Sequence, residues 1–140
     1  MADRKKTLDR LLRVRSLQLN LVRADEARAQ AKLDSEQHLR NRIAALADNV
    51  APAPQPSGAL ALMAAAHFRD RLQQSAEAAD ARLHIAAQGL ERAAAATRDA
   101  KRDQTAIEKL IERETAEQVL RAIRALEEPP PVRKFRHGPC

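Results

Sequence analysis

Aromatic residues are almost missing from this chain of 140 residues, which has only Phe68 and Phe135 and no tryptophan or tyrosine. A conventional core of large side chains is thereby excluded. Glycine is nearly as scarce. Gly58, Gly89 and Gly138 cannot form a phosphate-cradling loop, and no stretch resembles a Walker or dinucleotide fingerprint. The single cysteine, Cys140, rules out an intrachain disulfide and fits a reducing compartment, although it could cross-link two chains on oxidation. Long apolar runs are lacking too. The longest uncharged stretch, Asn49 to Phe68, holds Pro52, Pro54, Pro56, Ser57 and Gly58. Its apolar part, Ala59 to Ala66, falls well short of the roughly 20 residues of a transmembrane helix. Residues 1 to 15 alternate charge with leucine and lack the apolar core and cleavage site of a signal peptide, so a cytoplasmic location is expected.

What the chain does have is the composition of a rod. Of its residues 44% are hydrophobic, with alanine the commonest, and 31% are charged, the bias of long helices and coiled coils. No proline stands between Pro56 and Pro129. The spacing predicts a first helix over about residues 3–49, with apolar steps at Leu8, Leu12, Leu19, Val22, Ala29 and Leu33. Arg15 and Glu26 interrupt this seam where apolar residues were due, and it resumes in a shifted phase as Leu39, Ile43, Leu46 and Val50. Asp3 is a plausible N-cap, and Asp9 with Arg13 and Glu36 with Arg40 are i,i+4 pairs.

Three prolines at alternate positions make residues 50–58 a turn. A second helix over about 59–127 carries Phe68, Leu72, Ala79, Leu83, Ala86, Leu90, Ala93, Ala100, Ile107, Leu110, Ile123 and Leu126 at helical spacing. Pro129 to Pro131 end it, and 129–140 is a flexible basic tail. The expected fold is therefore all-α: a long antiparallel two-helix coiled-coil hairpin over residues 1–128 with the second helix overhanging. At 1.5 Å per residue the helices span roughly 70 Å and 104 Å. With Asn49 beside Ala59, the residues beyond about Lys109 would project alone. An alanine-rich seam allows close approach but gives little energy, so the hairpin should be soft in isolation.

The net charge of +6 and pI near 10.2 favour an acidic partner. Residues 1–15 hold Arg4, Lys5, Lys6, Arg10, Arg13 and Arg15 against Asp3 and Asp9, a net of +4, and the tail adds Arg133, Lys134 and Arg136. The free end of the rod is cationic and the turn end uncharged. No catalytic constellation is present. His38, His67, His84 and His137 are scattered without metal-ligand spacing and read as solvated or seam-edge residues. A basic helix feeding a leucine seam resembles the layout of a bZIP protein, but the seam breaks within two or three heptads and prolines turn the chain back, which disfavours DNA binding.

The unequal hairpin, the basic N-terminus, the run Phe68, Leu72, Ala79, then Arg98, Lys101 and Glu108 to Arg113, together resemble FliJ, the small flagellar type III export protein. The resemblance covers about residues 4–127. The leucine followed by an acid-arginine pair, Leu110 with Glu112 and Arg113, and its distance from Phe68 are the most telling elements. The resemblance implies an architecture like the coiled coil of the ATP synthase gamma subunit and a non-enzymatic, cofactor-free role in flagellum biogenesis and motility. It implies that the end carrying both termini, here Arg4, Lys5, Lys6, Arg10, Arg13, Leu110, Glu112 and Arg113, enters the hexameric ring of the export ATPase. It also implies contact with a membrane export gate protein, handling of export chaperones, and a peripheral place at the inner face of the bacterial cell membrane. The family's gate-binding steps fall on Phe68, Leu72, Ser75 and Ala79, with Ala79 replacing a histidine. Near the end of the first helix His38, Leu39, Arg42 and Ala45 stand where the family often has aromatic residues. Phe68 and Leu72 also share the spacing of Leu83 and Leu90, so seam and patch both remain open for them. A stalk protein of another type III secretion system or a generic coiled-coil scaffold fits the same residues.

Overall fold

In a computed structural model, residues 2–49 and 58–130 form two helices and their immediate flanks, and the description below concerns those residues. Helix α1 spans Ala2–Asn49 and helix α2 spans Ala59–Glu127. The fold is the expected all-α antiparallel hairpin. The proline-rich turn at 50–57 and the basic tail from 131 onward lie outside the described residues.

The ends of the helices follow from local chemistry. Asp3 is not an N-cap: it sits inside the first turn of α1, where its carboxylate faces the positive end of the helix dipole. Its carbonyl also accepts a 2.8 Å hydrogen bond from the Thr7 hydroxyl. Gly58 precedes α2 and offers no side-chain cap; its carbonyl accepts from the Ala61 amide at 2.9 Å. At the far end Glu128 turns to an extended conformation, as a residue before proline must, while its N–H still donates to the Arg124 carbonyl.

Six cross-hairpin bonds fix the register. Arg4 pairs with Glu114, Arg15 with Asp103, Arg82 with Glu36 and Arg40 with Asp80. Gln104 donates to the Ser16 hydroxyl and Thr97 to the Val22 carbonyl. Across all six, the paired residue numbers sum to between 118 and 120. Glu36 and Arg40, expected to pair along α1, thus each reach across to α2 instead.

This register corrects the expected overhang. Residues 109–118 lie beside the start of α1 and are paired; Glu114 is among the most buried residues of the chain. What overhangs is divided between the two ends. About nine residues, 119–127, pass Ala2, and about ten, 59–68, pass Asn49, roughly 15 Å at each end. The expectation failed because it assumed a tight turn at Ala59.

The seam also keeps one phase throughout. On α1 it steps by four and three from Leu8 through Leu12, Arg15, Leu19, Val22, Glu26, Ala29 and Leu33 to Glu36, then by seven past the exposed Arg40 to Ile43, all but Arg40 being buried or half-buried. On α2 the same rhythm runs from Leu72 through Ala79, Ala86, Ala93, Ala100 and Ile107 to Glu114 and Gln118. A strict seven-residue repeat of this kind imposes a left-handed supercoil. Arg15 and Glu26 therefore occupy the seam rather than shifting it. Leu39 and Leu46, expected within it, are 38% and 52% exposed beside it. Phe68, Leu110, Ile123 and Leu126 likewise stand off the seam.

Through the middle of the seam large side chains face small ones, whereas toward the basic end Leu12 faces Ile107 and Leu8 faces Ile111. By the register, Leu19 faces Ala100, Leu33 faces Ala86, Ile43 faces Ala76, and Ala29 faces Leu90. Each pair fills about one leucine and one methyl, so the helices approach closely while each layer buries little apolar area. Only Leu19, Ala79 and Ala86 form a fully buried apolar core among the described residues. The hairpin is held by a thin seam and its cross-bonds.

Candidate functional site

Heptad letters sort the surface of such a hairpin. With seam positions a at Leu12 and Leu19 and d at Leu8 and Val22, Leu11, Leu39 and Leu46 take g on α1. On α2, where Ala76 and Leu83 are a, Phe68, Ser75 and Leu110 take g. Running the helices antiparallel sets g beside g on one broad face of the ribbon and e beside e on the other. The two faces prove chemically unlike.

The g face sets large apolar side chains among charged ones, Arg4, Asp25, Lys32, Arg82, Asp103 and Glu117. It exposes Leu11 at 43%, Leu39 at 38%, Leu46 at 52%, Phe68 at 49% and Leu110 at 43%, and its c positions add Val14, Leu21 and Ile85. On the e face the corresponding places carry Asp9, Arg23, Gln30, Gln73, Asp80 and Lys101. Among the described residues that pair across the hairpin, no exposed large apolar side chain falls on the e or b positions. Sequence reasoning missed this division because it placed Leu39, Leu46 and Leu110 in the seam and left Phe68 open between seam and patch; the signal that reveals it is the step of seven, or a multiple of it, between such residues within each helix.

At the basic end the structure brings Arg4, Leu8, Leu110, Arg113, Glu114 and Glu117 around one groove on the g face. Glu114 is its anchor. The residue is 4% exposed, receives Arg4 Nε at 3.5 Å, and accepts a hydrogen bond from Gln118 Nε2 at 3.3 Å. A carboxylate so placed needs those partners, because an unpaired buried charge is costly. Sequence reading passed over Glu114 and Gln118, since nothing in the sequence separates a seam glutamate from its exposed neighbours Glu112 and Glu117.

The other residues expected at this end divide between faces. Lys6, Arg13 and Glu112 take b positions on the polar face, Arg10 lies on the outer surface of α1, and Lys5 is exposed close to the helix start. Arg4, Leu110 and Arg113 share the g face. The cations thus surround the rod instead of forming one patch. Past them, the overhang of α2 exposes Val119, Leu120, Ile123 and Leu126.

At the turn end the expected quartet splits in two. Ala79 is fully buried and Leu72 half-buried, both in the seam, Leu72 in a depression it shares with Ala47, Arg69, Gln73 and Ala76. Ala79 therefore offers no surface to a partner in this fold. Phe68 and Ser75 are exposed on the g face. On α1, His38, Leu39 and Arg42 line a shallow outer depression with Ala31, Asp34 and Ser35. Among the described residues no His, Cys, Asp and Glu side chains cluster in a way that could hold a metal ion, and no helix is long and apolar enough to cross a membrane.

No protein-family model, curated protein or solved structure matches this chain.

Proposed function

We propose that this chain is a non-enzymatic component of flagellar type III protein export that couples the export ATPase ring to the membrane export gate and handles export chaperones. The observation that carries the reading is the pair of unlike ends on one rod. One end sets Arg4, Lys5, Lys6, Arg10 and Arg13 beside Leu110, Glu112 and Arg113 and continues in an unpaired stretch of α2 with exposed Val119, Leu120, Ile123 and Leu126. That combination favours a socket with acidic walls and an apolar floor. The other end presents Phe68 and Ser75 some 60 Å away along α2, enough to keep two partners apart.

In this reading the basic end docks in the ATPase hexamer from the cytoplasmic side, and Phe68 meets the gate at the membrane surface. The arrangement serves a stalk protein of another type III system equally well, and the cognate ATPase distinguishes the two. The test mixes the full chain with the flagellar export ATPase and follows ring assembly and ATP hydrolysis. Stimulation that is lost when Lys5, Lys6, Arg10 and Arg13 are changed to glutamate supports the proposal. No stimulation, together with steeply salt-dependent binding to random duplex DNA, transfers the basic end to nucleic acid.

A further inference from the structure

We propose that α1 carries a second helix-binding stripe on its outer surface, over Val14, Leu17, Leu21 and Ala24, and that its occupant is an amphipathic helix with acidic flanks from a partner protein. The four residues follow one another by three, four and three, the rhythm that builds a coiled-coil seam. They take c and f positions, nearly opposite the a and d positions that face α2. One helix thus has two seams. Val14 is 50%, Leu17 64% and Leu21 65% exposed, and Leu11, at 43%, widens the stripe on its g side. Between Val14 and Ala24 the only charges are Arg15, in the internal seam, and Arg23, on the e face.

The outer surface of α2 supplies the contrast. Where α2 pairs with α1, its c and f positions hold one exposed large apolar side chain, Ile85, among polar residues such as Gln88, Arg92, Asp99 and Arg102. That is how the solvated side of a helix is built. On α1 the same positions gather Val14, Leu17 and Leu21 within two turns.

Charge selects the occupant. Lys6, Arg10 and Arg13 border the stripe towards the start of α1 and make no ion pair among the described residues. Arg28, at its other end, pairs only with Asp25. From residue 3 to residue 28 the b, c, f and g positions of α1 hold Arg4, Lys6, Arg10, Arg13 and Arg28 against Asp3 and Asp25. A stripe so bordered accepts a helix whose leucine-type residues are flanked by carboxylates and repels one flanked by lysine. A phosphate backbone would use the cations and leave the leucines in water, so the spacing favours a protein helix over nucleic acid.

Leu17 and Leu21 have no part in the export reading, so the two fail separately: ATPase stimulation can be absent while the stripe binds its helix, and the reverse. Lys6, Arg10 and Arg13 are shared, so a ring docked on the basic end competes with the helix for them.

The test titrates the full chain, by calorimetry, with two synthetic amphipathic helices of equal length, leucine at their a and d positions, one with glutamate and the other with lysine at e and g. The expected result is one acidic peptide per chain, bound roughly tenfold more tightly than its lysine twin. Leu17→Asp and Leu21→Asp should each weaken that binding roughly tenfold while helicity is kept, since both side chains are exposed. Ile85→Asp, on the outer surface of α2, should leave it unchanged. Changing Lys6, Arg10 and Arg13 together to glutamate should invert the preference between the peptides. No binding of the acidic peptide, or equal binding of both, overturns the proposal. So does binding indifferent to Leu17→Asp, which would mean that the peptide replaces α2 in the internal seam. Self-association of the full chain in sedimentation velocity, abolished by Leu17→Asp, overturns it too and assigns the stripe to a second copy.

Discussion

Arg4, in the first turns of α1, places its guanidinium Nε 3.5 Å from the carboxylate of Glu114, 110 positions later in the chain, and Glu114 is 4% exposed. One bond thus ties the start of α1 to the last paired turn of α2. Arg4 itself is 70% exposed, so solvent screens much of the attraction. Glu114 keeps its Gln118 bond if Arg4 is lost. Arg4→Ala should therefore destabilise the hairpin by only about 1 kcal/mol. Glu114→Leu, which replaces the buried carboxylate by an apolar side chain facing the seam, should be neutral or stabilising by about 1–2 kcal/mol. Urea titrations followed by circular dichroism check both, and a large loss for Glu114→Leu would show that the carboxylate does more than fill the seam.

Leu19 and Leu17 provide a matched pair two residues apart. Leu19 is 2% exposed in the seam opposite Ala100, while Leu17 is 64% exposed on the outer surface of α1. Leu19→Ala should cost about 2–3 kcal/mol, at the low end for buried leucines because a two-helix seam collapses easily around the gap. Leu17→Ala should stay within about 0.5 kcal/mol. Equal losses from the two in a urea titration would mean that the seam is not where the structure has it.

Gly89 supplies a prediction with the opposite sign. Since a Cβ meets nothing within 4 Å and the residue is mid-helix, Gly89→Ala should stabilise the isolated hairpin by roughly 0.5–1 kcal/mol. The midpoint of thermal unfolding at low protein concentration measures this, and a fall would reveal that α2 bends or packs at Gly89.

Much of the fold could be read from the chain because the determinants are local. The proline-free run after Pro56, the alanine content and the leucine spacing are enough to give two helices and a hairpin, and both helices end within a residue of their expected limits. Register was harder. It depends on where α2 begins to face α1, and Leu72 opposite Ala47 is a long-range match that no local pattern announces. Polar seam residues misled in the same way. Arg15 and Glu26 look like breaks in a hydrophobic repeat, yet their long side chains reach out of a thin seam, Arg15 to Asp103 at 3.0 Å. With Arg15 and Glu26 read as interruptions, Leu39 and Leu46 fall into the seam, although the structure exposes both on the same face as Phe68 and Leu110.

That face sharpens the question of which turn-end residues meet a partner. Leu72 and Ala79 are held in the seam, so their loss should be felt by the hairpin itself; Phe68 and Ser75 are not. Phe68→Ala should leave the unfolding midpoint within about 0.5 kcal/mol of the parent, and Leu72→Ala should lower it by about 1–2 kcal/mol. If the gate reading is right, Phe68→Ala should still weaken binding to the cytoplasmic part of the export gate roughly tenfold, since an exposed aromatic is the usual anchor of such contacts. Calorimetry of gate binding beside thermal melts of the same two variants separates the roles. Loss of binding in step with stability across both would reduce Phe68 to a structural residue, whereas loss confined to Phe68→Ala would make it the docking point.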